Sequence, residues 1–196
     1  MSKRQKWTTP EDTALIAIVN KHENSRKNTA IKWDVVAKNL SRHNFNKTAK
    51  QCRERWIQQL TPNLSREKWD KEENKRLLTL YKQKQNHWKE ISSHLEGRTD
   101  NAAKNQFFAL MRKGLRKACR TIGLTSNTIK INGLKPKVLL DFFQLKHTFI
   151  VNGIPKPVNV ADFIEYYALN EVQEDFIDEE QKPLISEIMN YLTAIK

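Results

Sequence analysis

Apolar residues in the first 120 positions recur at intervals of three and four between polar stretches, the spacing of helices that bury one face. Leu15, Ile18 and Val19 form one such stripe, and Leu77, Leu80 and Tyr81 form another. Thr8 and Glu11 precede the first stripe, and Asp70 and Glu73 the second. Both pairs have capping-box spacing, so a helix is predicted to start at each. A second helix is predicted from Trp33, with Val36 and Leu40 inward, and its counterpart has Trp88, Ile91 and Leu95. A third carries Cys52, Trp56 and Leu60, matched by Ala103, Phe107 and Met111.

Large rings set the frame for these helices. Trp7, Trp33 and Trp56 form one series, and Trp69, Trp88 and Phe107 the other. Each ring of this kind buries about 150–250 Å². Three of them can hold together a unit of some fifty residues that is otherwise short of core, which is roughly the size where small domains become marginal. The stripes keep the same offsets from Trp7 as from Trp69, so one three-helix module is predicted twice, over residues 5–62 and 63–120. The last two helices of each copy read as a helix-turn-helix. The second copy turns through Glu96-Gly97-Arg98-Thr99-Asp100. In the first copy the turn from Ser41 to Lys47 is read as four residues longer and has no glycine. The first two rings are also further apart there, by 26 residues against 19, and the extra polar stretch from Glu23 to Ala30 is predicted to be an exposed loop.

Residues 121–196 have a different pattern and are expected to be a small, mostly helical and acidic region. Asn132-Gly133 and Asn152-Gly153 each follow a short apolar stretch and precede an Asp-Phe pair, at 141–142 and 162–163. This is a weak repeat of extended segment, turn and helix. An acidic run spans Glu171 to Glu180, and a last helix is predicted from about Pro183 to Ile195. Two readings stand for this region: a helical element that only packs on the repeats, or a docking segment for a protein partner.

Charge separates the two parts. The chain carries 35 Lys and Arg against 22 Asp and Glu, a net +13. Residues 121–196 hold 7 basic and 10 acidic side chains, which leaves 28 and 12 for residues 1–120. Such an imbalance on helix-turn-helix units is the footprint of a polyanion. With Cys52 and Trp56 turned inward, the 3.6-residue period brings Lys50, Glu54, Ile57 and Gln58 to the outer side of the third helix. In the second copy it brings out Asn101, Lys104, Asn105 and Phe108. Lys can donate to guanine, Asn and Gln can pair with adenine, and Glu can accept from cytosine. The flanking Lys47, Arg53, Arg55, Arg98, Arg112, Lys113, Arg116 and Lys117 suit phosphates. Pairing of some of these arginines with Glu54, or with helix-start acids such as Glu11 and Glu72, is the competing reading.

The stretches NKTAKQCRERWIQQLTP and EGRTDNAAKNQFFALMRK resemble the third-helix segments of the two tandem repeats of Myb DNA-binding domains, a resemblance over about residues 5–117. It implies a mainly α fold of two homeodomain-like three-helix repeats lying side by side in the major groove of duplex DNA. The family's base-contact positions fall on Lys50, Glu54 and Gln58, and on Lys104, Asn105 and Phe108. Gln58 and Phe108 stand where the family usually has Asn, and Ala109 where it has Ser. With Lys104 and Asn105 kept, the resemblance implies an AAC core in the target, and it links Cys52 to redox-sensitive binding. A nuclear transcription regulator is the expectation, and a chromatin- or protein-binding module of the related SANT type is the alternative.

Catalysis finds little support. Cys52 and Cys119 are the only cysteines, and His22, His43, His87, His94 and His147 have no metal-ligand spacing. No phosphate-cradling glycine loop or nucleophile elbow occurs. The expectation is a protein with no cofactor, no metal and no enzymatic activity. Two unpaired cysteines, no signal peptide and no long apolar run point to a soluble intracellular setting with no membrane partner. The polybasic stretch from Met111 to Arg120 is a candidate import signal.

Overall fold

The computed structural model describes residues 6–25, 30–121, 131, 148–151, 154–157 and 160–169. The chain divides into two compact units, residues 1–66 and 67–196. In the first, α1 spans Thr9–Ser25, α2 Trp33–Ser41 and α3 Ala49–Arg55, which continues as a π-helical turn, Trp56–Leu60. In the second, α4 spans Lys71–Lys84, α5 Trp88–Ser93 and α6 Asp100–Thr121. A two-stranded antiparallel hairpin follows, β1 (Thr148–Val151) with β2 (Ile154–Pro157), in the register Thr148 to Pro157 and Val151 to Ile154. Helix α7 (Val160–Ile164) and a second π-helical turn (Glu165–Leu169) end the described part. The predicted elements at 132–147 and beyond residue 169, including the acidic run and the last helix, lie outside the described residues.

Side-chain caps start the helices where the sequence places them. At α1 the box is complete: the Thr8 amide donates to Glu11 Oε2 (2.8 Å) and the Glu11 amide to Thr8 Oγ1 (3.5 Å). At α3 Thr48 and Gln51 form another, at 3.2 and 2.8 Å. At α4 only half of the expected box exists. Asp70 accepts from the Glu73 amide (2.7 Å), but the Glu73 carboxylate is committed to Arg98. Pro62 lies just past the π turn and has no amide to prolong a helix.

The turns before the third helices differ less than the sequence suggests. They cover 42–48 and 94–99, one residue apart in length. The other three residues of the difference lie in α2, nine residues long against six for α5. Both turns need a left-handed residue, Gly97 (φ 68°) in the second and Asn44 (φ 63°) in the first. Asn is among the few side chains that tolerate this region, which is why the first turn works without a glycine.

Each unit has its own core. Leu15, Val19, Val36, Leu40, Cys52 and Trp56 form the first, with Trp7, Ile18, Trp33 and Leu60 packed at its margin. In the second, Phe107 is wholly buried and stacks on Tyr81 (centroids 4.0 Å), with Trp88 at 5.3 Å. Trp56 and Phe107 are therefore the enclosed rings, and the other four of the six line the rim. Removing a ring like that of Phe107 costs about 3–5 kcal/mol. Residues 160–169 belong to the second core: Val160, Ala161, Phe163, Ile164, Tyr167 and Ala168 are buried in one cluster with Leu110, Met111, Leu115, Ala118 and Cys119 of α6.

Candidate nucleic-acid interface

In the first unit Thr48 caps α3 and the rings hold its inner side, so Cys52 and Trp56 face the core. The opposite side carries Lys50, Arg53 and Glu54, all exposed, with Ile57 38% exposed and Gln58 half-buried. Lys50 Nζ lies 4.0 Å from Glu54 Oε1, a loose pair one helical turn apart whose lysine side chain is 84% exposed. Exposed i,i+4 pairs contribute only about 0.3–0.5 kcal/mol, so both groups can exchange this contact for another.

In the second unit Thr99 caps α6, accepting from the Ala102 amide at 3.1 Å. Asn101, Lys104, Asn105, Ala109 and Lys113 are exposed along its outer side, while Arg112, Arg116 and Lys117 are half-buried. Arg112 donates to the Phe108 carbonyl at 3.3 Å.

Phe108 is not on that side. It is 3% exposed, its ring edge-on to Phe107 (5.6 Å) and 6.3 Å from Trp88. The helical period places residue 108 only about 100° from residue 107, and the aromatic cluster is wide enough to enclose both. The expectation of a base-contacting Phe108 is thus corrected: the ring packs in the core.

Three of the cations expected to hold phosphates are also engaged elsewhere. Lys47 Nζ is 2.8 Å from Glu11 Oε1 and 5.0 Å from the Trp7 ring centre, with its side chain 2% exposed. Arg98 is gripped by both Glu73 oxygens (2.5 and 2.7 Å), donates to the Glu67 carbonyl (2.8 Å), and lies 4.5 Å over the Trp69 ring. These positions are equivalent. In each repeat the residue before the third-helix cap pairs with the glutamate four residues after the first Trp and covers that Trp. Burial alone raises the Glu11 carboxyl, but the Lys47 ammonium and the Thr8 amide and hydroxyl hold it below the usual carboxylate range.

A second pair ties the same helices. Arg55 donates to Asp12 at 2.8 and 2.5 Å, and at the equivalent positions Gln106 donates to Asn74 at 2.7 Å. An ion pair in one repeat is a neutral amide pair in the other. Glu11 and Glu73, and Asp12 and Asn74, share offsets from Trp7 and Trp69. Lys47 and Arg98, and Arg55 and Gln106, share offsets from Trp56 and Phe107, so the repeat aligns these positions without showing which way the cations turn. For Arg55 and Arg98 the competing reading, pairing with an acid, is the one the structure shows.

Burial pushes the Cys52 and Cys119 thiols up to about 11, partly offset at Cys52 by a backbone hydrogen bond and by Lys47. Both are buried and neither forms a disulfide. Among the described residues no group of three His, Cys, Asp or Glu side chains is placed to hold a metal ion, and no helix is long and apolar enough to cross a membrane.

Two copies of a three-helix module, each ending in a helix with a core side and an exposed side bearing Lys and either Glu or Asn, define a tandem helix-turn-helix protein. The family comparison agrees. A model described as a Myb-like DNA-binding domain matches residues 7–77, and a second of the same description matches residues 66–110. The chain belongs to the Myb family, with two tandem repeats of its DNA-binding domain. That family is one of DNA-binding rather than catalytic domains.

Among curated relatives, the chain is similar to Myb-related protein A of Mus musculus, 28% identical over 89% of this chain and 23% of the relative. Myb-related protein A of Xenopus laevis is 36% identical over 55% of this chain and 13% of the relative. Transcription factor MYB98 of Arabidopsis thaliana is 37% identical over 59% and 25%. The chain thus spans a quarter or less of the length of these relatives. Among solved structures, it is similar to the Trichomonas vaginalis Myb3 DNA-binding domain bound to a promoter sequence, with 30% identity, TM-score 0.46, and coverage of 53% of this chain and 80% of that one. Trichomonas vaginalis Myb2 in complex with DNA gives 32%, 0.45, 54% and 91%.

Proposed function

We propose that the protein binds duplex DNA in a sequence-dependent way through the outer faces of α3 and the first half of α6, each laid in the major groove. The observation that supports this most is the division of those two helices: one face is locked in the core, and the other exposes Lys50, Arg53 and Glu54 on α3 and Asn101, Lys104 and Asn105 on α6. Asn105 pairs with adenine and Lys104 with guanine, Lys50 and Glu54 read the adjoining bases with Gln58 at their edge, and the favoured target contains an AAC core. Arg53, Arg112 and Lys113 hold phosphates, which set affinity rather than sequence. Lys47, Arg55 and Arg98 leave that set and orient the reading helices instead. The role is regulation of transcription in the nucleus, with the region after residue 120 available to a protein partner.

Selection of bound sequences from a random duplex pool tests this, followed by titration over a range of salt. An AAC-containing consensus is expected, with log affinity falling linearly against log salt by about 0.9 per phosphate contacted. A flat salt response refutes the electrostatic footprint. A histone-tail peptide that outcompetes the selected duplex favours the SANT-type alternative instead.

A further inference from the structure

Helix α6 is 22 residues long and its two halves face different tasks. The first half carries Asn101, Lys104 and Asn105 outward. In the second half Leu110, Met111, Leu115, Ala118 and Cys119 are buried, none more than 5% exposed. Their cover comes from residues 160–169. The fit is close at Gly114, where an added Cβ would stand 3.3 Å from Phe163 Cε1, 3.5 Å from Tyr167 Cβ and 3.8 Å from Ala168 Cβ. A methyl there would touch all three, and the Phe163 ring would have to give by a few tenths of an ångström. Within the segment Phe163 and Tyr167 also pack on each other, their centroids 4.8 Å apart.

The same segment grips α4. Lys82 Nζ is 2.7 Å from Asp162 Oδ1 and 3.0 Å from Glu165 Oε2. Helix α4 also bears Glu73, which fixes Arg98 just before the α6 cap, and Asn74, which fixes Gln106 within α6. Helix α6 is therefore tied to α4 near its start by two polar pairs and along its far half by a third element lying against both.

We propose that residues 160–169 are a brace for the reading helix, clamping the far half of α6 to α4 and so fixing the direction in which Lys104 and Asn105 point. This rests on the reading of α6 as a DNA-contacting helix. Phe163, Gly114 and Lys82 are positioning residues that touch no DNA, and the unit that reads sequence runs to about Leu169, well past residue 110 where the family match ends. Side chains that read bases must be held to a fraction of an ångström by the elements behind them, so loosening the brace costs discrimination before it costs charge attraction.

The test uses the full chain with Phe163→Asp, with Lys82→Glu, and with Lys82→Glu combined with Asp162→Lys and Glu165→Lys. Amide hydrogen exchange of residues 110–119 is measured without DNA, and affinity is measured for a selected duplex and a scrambled one. Phe163→Asp should speed that exchange and lower the selected-to-scrambled ratio about tenfold, comparable to one mismatched base pair, with the salt slope unchanged. Lys82→Glu, at a partly exposed site that tolerates charge, should lower the ratio about threefold, and the reversed pairs should restore it; this arm decides the matter if Phe163→Asp fails to fold. Faster exchange with an unchanged ratio overturns the brace as an aiming device, and unchanged exchange overturns the clamp itself. A wild-type chain with no preference for any duplex instead defeats the DNA reading, while the exchange data still show whether the clamp exists.

Discussion

Replacing Arg98 by Ala separates two roles that a basic residue just before the third helix of a repeat can play. In the structure its guanidinium makes two bonds to Glu73, one to the Glu67 carbonyl, and a contact with the Trp69 face, at a side chain only 6% exposed. Removing one partner of a buried pair costs about 3–5 kcal/mol because the other charge is left uncompensated. Glu73 retains 20% exposure, so water recovers part of that, and about 2–4 kcal/mol is expected. In a unit of this size each kcal/mol moves Tm by about 4 °C, so the second unit should melt roughly 8–16 °C lower. The assay is denaturation of the full chain, paired with a salt titration of duplex binding. A phosphate contact gives the opposite pattern: stability within about 0.5 kcal/mol of wild type, and a salt slope smaller by about 1. That second pattern would refute the structural assignment of Arg98. Glu73→Gln, which removes the charge and keeps the shape, should reproduce much of the stability loss.

The other ties yield further expectations. Asp12→Asn alone should destabilise the first unit by stranding Arg55, whereas Asp12→Asn with Arg55→Gln, which copies the Asn74 and Gln106 pair, should recover most of the loss in a double-mutant cycle. Glu11 is held below the usual carboxylate range in the fold, so its contribution is full above the unfolded-state value, about 4.3, and is lost as pH falls through the lower folded value. Melting the first unit across acidic pH should show that loss, and Glu11→Gln should flatten it. With thiols at about 11 and both cysteines buried, Cys52 and Cys119 should resist alkylation at neutral pH until the chain is unfolded; rapid labelling of native protein would contradict this and revive redox control at Cys52.

The helical frame was legible because burial repeats with the helical period. Leu15, Val19, Val36, Leu40, Cys52 and Trp56 are all core residues where the stripes predict them, and the second copy follows at the same offsets. Direction of charge was not legible. A lysine before a helix cap looks the same in sequence whether it faces a phosphate or folds back on Glu11, and only the packing of Trp7 against the turn decides it. Phe108 eluded the period for a related reason. The angular width of a buried face depends on what packs there, and α6 carries a broad aromatic cluster where α3 leaves the equivalent Ile57 exposed. Packing of the region after residue 120 on the repeats was one of two readings, but not the partners of residues 160–169: α6 lies some fifty residues away and Lys82 of α4 some eighty, and nothing local names either.

Asn105 carries the most direct test of DNA reading. Affinities of wild type and Asn105→Ala are to be measured on the selected duplex and on a scrambled one at the same salt. The exposed carboxamide on the outer face of α6 predicts a loss of about 1–3 kcal/mol on the selected duplex and little on the scrambled one. An equal loss on both would make Asn105 a backbone contact, and no loss on either would remove α6 from the interface.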